Sequence, residues 1–250
     1  MSNLIRGEFY KLRKSKYFAG MILLSLLIGF YLMIEWDNHT QRLKITSPDS
    51  INGLNSISYS FQLITIISFM FALLAVEFIV KDFKNSNMSK SFIYGYTRNT
   101  VLLSKLIVFT LFSLLLELIY TIPLVIYASL NHGFWGNLDV NNLYLIRLLV
   151  VGILYNMATI FIIVIVAVIT KSTLFTITSP IILIASFLLA TSHPYFITKI
   201  FFYMPHTAGL DGIAPFSPSS CIIKSLISSS ITFIITIGGS LLYIKHKDIK

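Results

Sequence analysis

Glu117 is the first residue that asks for a chemical role. It is the only charged residue in the apolar stretch 106–130. It lies roughly 18 Å from the N-terminal end of that stretch at about 1.5 Å per residue, near the middle of a ~30 Å hydrocarbon core. A carboxylate there costs ~2.5–3.5 kcal/mol on insertion scales, so it must face protein or water. Two readings follow: a group on a translocation path or between subunits, or a structural carboxyl hydrogen-bonded to a neighbouring helix, with Tyr155 and Asn156 as candidate partners. No other residues combine into catalytic chemistry. There is no G-x-x-x-x-G-K-[ST] phosphate loop, no H-E-x-x-H and no pair of Glu within one apolar stretch. His39, His132, His193, His206 and His246 fall in expected loops and the C-terminal tail, where solvation is the ordinary state. Cys221 is the one cysteine, which excludes an intrachain disulfide or a Cys-cluster metal site. The sequence therefore predicts no catalysis, no metal site and no cofactor bound by this chain.

The elements that position Glu117 follow from composition. Of 250 residues 56% are apolar and 12% charged, with mean hydropathy +0.81. A water-facing surface needs about 25% charged residues, so the chain is expected to be an integral membrane protein. A crossing helix needs ~20 mostly apolar residues. Six stretches qualify: 17–34, 58–76, 106–130, 148–170, 172–189 and 225–243. The fourth and fifth are separated only around Lys171, which demands a tight helical hairpin. The first exceeds a signal-peptide core and lacks a small-x-small cleavage site before Glu35, so it reads as a retained anchor. Pro123 and Pro180 are expected to kink the third and fifth spans.

Charge sets the orientation. Fourteen of the 19 Lys and Arg fall in 1–16, in 77–105, at Lys171 and in the C-terminal tail. Only Arg42, Lys44, Arg147, Lys199 and Lys224 fall on the other side. The positive-inside rule places the larger group, and both termini, in the cytoplasm. Within 1–16, a period of 100° per residue puts Ile5, Phe9 and Leu12 on one face and Arg6, Arg13 and Lys14 on another. That is an amphipathic helix for the inner interface, its basic face toward anionic lipid or a partner. In 77–105, a short helix around 89–94 is expected to end at Gly95, with Thr97 capping the third span. Met88, Phe92 and Ile93 would give it an apolar surface beside Lys90, suited to docking or to plain solvation. Outside, 190–224 holds Pro194, Pro205, Pro215 and Pro218 with Tyr195, Phe196, Phe201, Phe202 and Tyr203. It reads as a re-entrant or interfacial segment, the alternative being a plain loop. The predicted fold is an all-α integral membrane domain spanning 1–250. It has six transmembrane helices, cytoplasmic termini, an N-terminal amphipathic helix and a re-entrant or interfacial segment before the last span.

The order Asn3-Leu-Ile-Arg-Gly-Glu-Phe-Tyr-Lys-Leu-Arg-Lys-Ser-Lys-Tyr17 resembles the elbow helix of bacterial type-2 ABC exporter permeases. The stretch Ser91-Phe-Ile-Tyr-Gly-Tyr-Thr-Arg-Asn-Thr-Val-Leu-Leu-Ser-Lys105 is similar to their coupling segment. The kinds in question are bacitracin-resistance, lantibiotic-immunity and modulin-peptide export permeases. The resemblance implies an ATP-driven exporter of a hydrophobic or amphipathic substrate, such as an antimicrobial peptide. It implies a separate ABC ATPase carrying the ATP and Mg, a second permease subunit, identical or homologous, and no nucleic-acid partner. It points to Lys84, Lys90, Phe92, Tyr94, Gly95 and Arg98 for ATPase docking, and to Ile5, Phe9, Leu12, Arg6 and Arg13 for the elbow. Abundant Ile, Lys, Asn and Phe with few Ala fit an AT-rich bacterial genome, hence a bacterial plasma membrane. Two rival readings stand beside it: a secondary transporter using Glu117 as proton carrier, for which no inverted repeat is visible, and a membrane assembly protein without transport.

Overall fold

In a computed structural model of the chain, residues 1–46, 50–85, 91–135, 142–192 and 198–246 are described. Every regular element among them is helical. Helix α1 (Ser2–Lys14) ends where Ser15 turns extended, and α2 (Lys16–Thr46) follows at once. At 1.5 Å per residue α2 is about 46 Å long, so it outruns the ~30 Å core. The stretch after the first span, which carries Arg42 and Lys44, therefore begins as helix. Its sequence allows this because Trp36 is buried and its ring lies 5.4 Å from that of Tyr59, with His39 at 4.7 Å from the same ring. Tyr127 anchors the same stretch by donating to Asp37 Oδ2 at 2.7 Å.

The second span is broken. Helix α3 (Gly53–Gln62), capped by the Asn52 side chain, stops at Leu63, and α4 (Ile64–Ala75) restarts there. A π-helical turn, Val76–Val80, then leads into the short α5 (Lys81–Lys84). The long third span, α6 (Arg98–His132), begins at the Thr97 cap, with Pro123 inside it. Helices α7 (Asn142–Thr170) and α8 (Thr173–Ser192) form the expected hairpin, closed by Lys171 at φ +50°. The Lys171 ammonium lies 5.0 Å from the Phe83 ring and 5.9 Å from that of Tyr243, tying the hairpin to the second and last spans. The chain ends with α9 (Thr198–Phe201), α10 (Pro205–Ile213) and α11 (Ser219–His246).

Five of these helices, and the continuous helical run 64–84 made of α4, the π-helical turn and α5, are long and apolar enough to cross a membrane. Spans two to four form the centre: the most apolar windows of 64–84, 98–132 and 143–170 are 72%, 56% and 61% buried, against 22% for the first and last spans. Helix α2 lies along α6, where Ser25 Oγ donates to the Leu116 carbonyl at 2.7 Å. Helix α4 lies against α7 and α8, and α7 against α11. The segment 190–224 contains a buried helix, so a plain loop does not describe it. Helix α10 starts with Pro205 at a position that needs no N–H donor, and it packs against α7 and α11. Arg147 holds its end by donating to the carbonyls of Ala214 at 2.6 Å and Pro215 at 2.9 Å.

Candidate functional site

The candidate coupling segment is built on a helical turn at 91–93. Gly95 sits at φ +84°, a conformation costing an L side chain roughly 1–2 kcal/mol. Its N–H donates to the Phe92 carbonyl at 2.9 Å, and the Tyr96 N–H donates to the Ser91 carbonyl at 3.3 Å. Those paired bonds are a Schellman stop, which the glycine makes possible. Thr97 then caps α6 by accepting from the Thr100 N–H at 3.3 Å. The stop fixes what the turn presents. Ile93 and Tyr94 stand out, 83% and 81% exposed, whereas Phe92 turns inward and packs on the core. Arg98 is half-buried in the first turn of α6. Lys84 donates to Thr173 Oγ1 at 3.0 Å, so its ammonium is tied to the start of α8. Lys90, with Met88, lies outside the described residues.

Beneath this turn lies a charge cluster with no counterpart in the sequence reading. Lys105 is 1% exposed. Its ammonium donates to Glu8 Oε1 at 2.8 Å and also bonds Asp82, while Lys11 bonds the other oxygen of Asp82. The Phe78 ring lies 5.0 Å from the Lys105 ammonium. Four charges thus join α1 to both ends of the candidate coupling segment: Asp82 where it leaves the second span, Lys105 where it enters the third. Burying Lys105 is tolerable only because two carboxylates and a ring face replace its water.

The cluster also corrects the expected face of α1. Leu12 is buried and Ile5 partly so, but Phe9 is 38% exposed. The inward stripe is Leu4, Ile5, Glu8 and Leu12, with the exposed Lys11 reaching Asp82 from its edge. Ion pairing draws Glu8 inward and Phe9 lies at the edge; Arg6 and Arg13 stay exposed, as expected.

Glu117 is 3% exposed and accepts a hydrogen bond from the Asn156 amide of α7. Glu117 Oε2, Asn156 Oδ1 and the hydroxyls of Tyr120 and Tyr155 are buried with no partner among the described protein atoms. Beside them an apolar crevice of about 410 Å³, lined by Phe61, Leu114, Thr121 and Ile153, runs along α3, α6 and α7. The second shelf of the polar cluster is α10. A Cβ on Gly209 would stand 2.2 Å from a Tyr155 ring carbon, so only glycine lets α10 close on that ring. One turn earlier His206, 1% exposed, places Nε2 3.1 Å from Ser186 Oγ. Burial pushes its imidazole down to about 4. The expectation of solvated loop histidines fails here and at His39, because segments read as loops fold into helices.

Residues 4–188 match a family model described as ABC-2 family transporter protein. The match takes in α1, the candidate coupling segment and five of the six spans. Among curated proteins none matches the chain.

Proposed function

The chain belongs to the ABC-2 family of transporter proteins, and from that premise we propose that it docks a separate ABC ATPase through Ile93 and Tyr94. As a member of that family it is a multi-pass membrane subunit of an ABC transporter. The observation that carries the docking proposal is an exposed aliphatic–aromatic pair held on a glycine-stopped turn. Two large apolar side chains there stand exposed among the described residues, and buried aromatic anchors dominate the energetics of protein interfaces. Gly95 fixes the direction of the pair, and Arg98 and Lys90 stand near it in sequence to meet acidic rim residues.

In this reading ATP and Mg bind to the ATPase and not to this chain. Closure of the ATPase pushes on the 91–96 turn. The Glu8–Lys105–Asp82–Lys11 cluster makes that turn, the ends of the second and third spans and the elbow helix move as one body. Displacement then reaches α6 and its partner α2 without being absorbed locally. The cargo is a hydrophobic or amphipathic molecule, of which an antimicrobial peptide is one class, and a second permease subunit, identical or homologous, completes the pathway. The peripheral first and last spans supply apolar faces for lipid or that second subunit.

The test is purification of the complex from its native membrane with assay of ATP hydrolysis. The variant Ile93→Ser/Tyr94→Ala is expected to lose the ATPase while keeping the unfolding midpoint of the wild type. If that variant retains the ATPase at full stoichiometry, docking lies elsewhere.

A further inference from the structure

The cluster that pins α1 leaves its opposite side unused. Glu8 and Lys11 are drawn toward Lys105 and Asp82. Arg6 and Arg13, seven residues apart, share an exposed face roughly 10 Å long at 1.5 Å per residue. Neither has an acidic partner among the described residues. Lys14 extends the positive field, its ammonium 4.8 Å from the Tyr10 ring. Beside Arg13 a groove of about 540 Å³ opens between α1 and α6, floored by Phe9, Leu12, Phe18, Leu111 and Phe112.

Two features say what fits there. The groove runs along α6 to Leu115, inside the stretch 106–130 that composition assigns to the hydrocarbon core, so its occupant is apolar and arrives from the bilayer. Its mouth carries a guanidinium on the side where most Lys and Arg lie, so the occupant's head is anionic and belongs to the inner leaflet. Guanidinium groups bind phosphate oxygens in bidentate fashion, which a lysine cannot do.

We propose that this groove and the Arg6–Arg13 face form a binding site for an anionic phospholipid, with one acyl chain against Phe18 and Phe112 and the phosphate on Arg13. The ion cluster holds α1 in the orientation that keeps the groove open, so the site is preorganised. It goes beyond ATPase docking and does not depend on it.

The experiment is native mass spectrometry of the full chain, without ATPase, released from detergent containing equal phosphatidylglycerol and phosphatidylcholine of matched chains. The wild type is expected to retain phosphatidylglycerol selectively. Each guanidinium lost is expected to weaken retention about fivefold, and Arg6→Gln/Arg13→Gln about thirtyfold. Leu111→Trp, which fills the groove and leaves every charge in place, is expected to abolish retention as well, and this second variant covers the case in which the first misfolds. Equal retention of both lipids by the wild type overturns the proposal. So does wild-type selectivity in either folded variant.

Discussion

Replacing Lys105 with methionine removes the centre of the charge cluster and keeps most of the side-chain volume. The side chains of Lys105, Asp82 and Glu8 are 2%, 5% and 14% exposed, whereas that of Lys11 is 48% exposed. Without Lys105, Asp82 still faces the half-exposed Lys11, whereas Glu8, one of whose oxygens has no partner among the described atoms, keeps no cation among the described residues. Breaking a buried pair from one side costs about 3–5 kcal/mol, because the remaining charge stays buried. Lys11→Met removes an ion pair that water already screens, and its expected cost is about 1 kcal/mol or less. Lys105→Met/Glu8→Gln removes the charge of the carboxylate left without a cation as well, so it is expected to recover more than half of the Lys105→Met loss. The assay is unfolding in mixed detergent micelles followed by circular dichroism, with trypsin cleavage after Lys14 and Lys16 reporting release of α1. A Lys105→Met cost no larger than that of Lys11→Met would refute the view that the cluster binds the elbow to the coupling segment.

Three further outcomes follow from the structure. Gly95→Ala forces an L side chain into φ +84° with no neighbour to clash with; it is expected to cost about 1–2 kcal/mol in the 91–96 turn, lowering ATPase association and leaving global unfolding nearly unchanged. Gly209→Ala drives a methyl into the Tyr155 ring and is expected to destabilise by about 1–3 kcal/mol through overpacking, whereas Tyr155→Phe, which removes a hydroxyl with no partner among the described atoms, is expected to be neutral or stabilising. His206 is held neutral in the fold, with its imidazole at about 4 against an ordinary 6.5. The unfolded chain therefore binds the extra proton between those values, so its contribution is whole above pH 6.5, falls by about 3 kcal/mol as pH drops to 4, and is flat below; unfolding of His206→Gln across that range should lack this slope.

What the sequence made legible was whatever leaves a local or periodic signature. The six spans, the Lys171 hairpin, the Gly95 stop and the Thr97 cap each follow from residues close together in the chain. The charge cluster does not, because Glu8 and Lys105 are 97 residues apart and pairing between distant segments has no period. One signal was present: at 100° per residue Glu8 falls between Leu4, Ile5 and Leu12, a charge on an apolar stripe that asks for a partner. Helix α10 escaped because Pro205, Gly209 and Gly212 read as loop residues. In the fold the proline starts the helix, and at Gly209 and Gly212 missing side chains admit Tyr155, Val151 and Ser225. The break at Leu63 follows Gln62 in a stretch without glycine or proline, so no helix-breaking residue marks it. At Glu117 the sequence named Asn156 among the candidate partners, and the structure selects it.

Site-specific crosslinking tests the docking proposal most directly. In a Cys221→Ser background, Tyr94→Cys and, as an outer-side control, Tyr203→Cys would each carry a photoreactive label in native membranes. An adduct is expected between residue 94 and an ABC ATPase, strengthened by bound nucleotide, and none from residue 203. An ATPase adduct absent from 94, under conditions where the complex hydrolyses ATP, would contradict it.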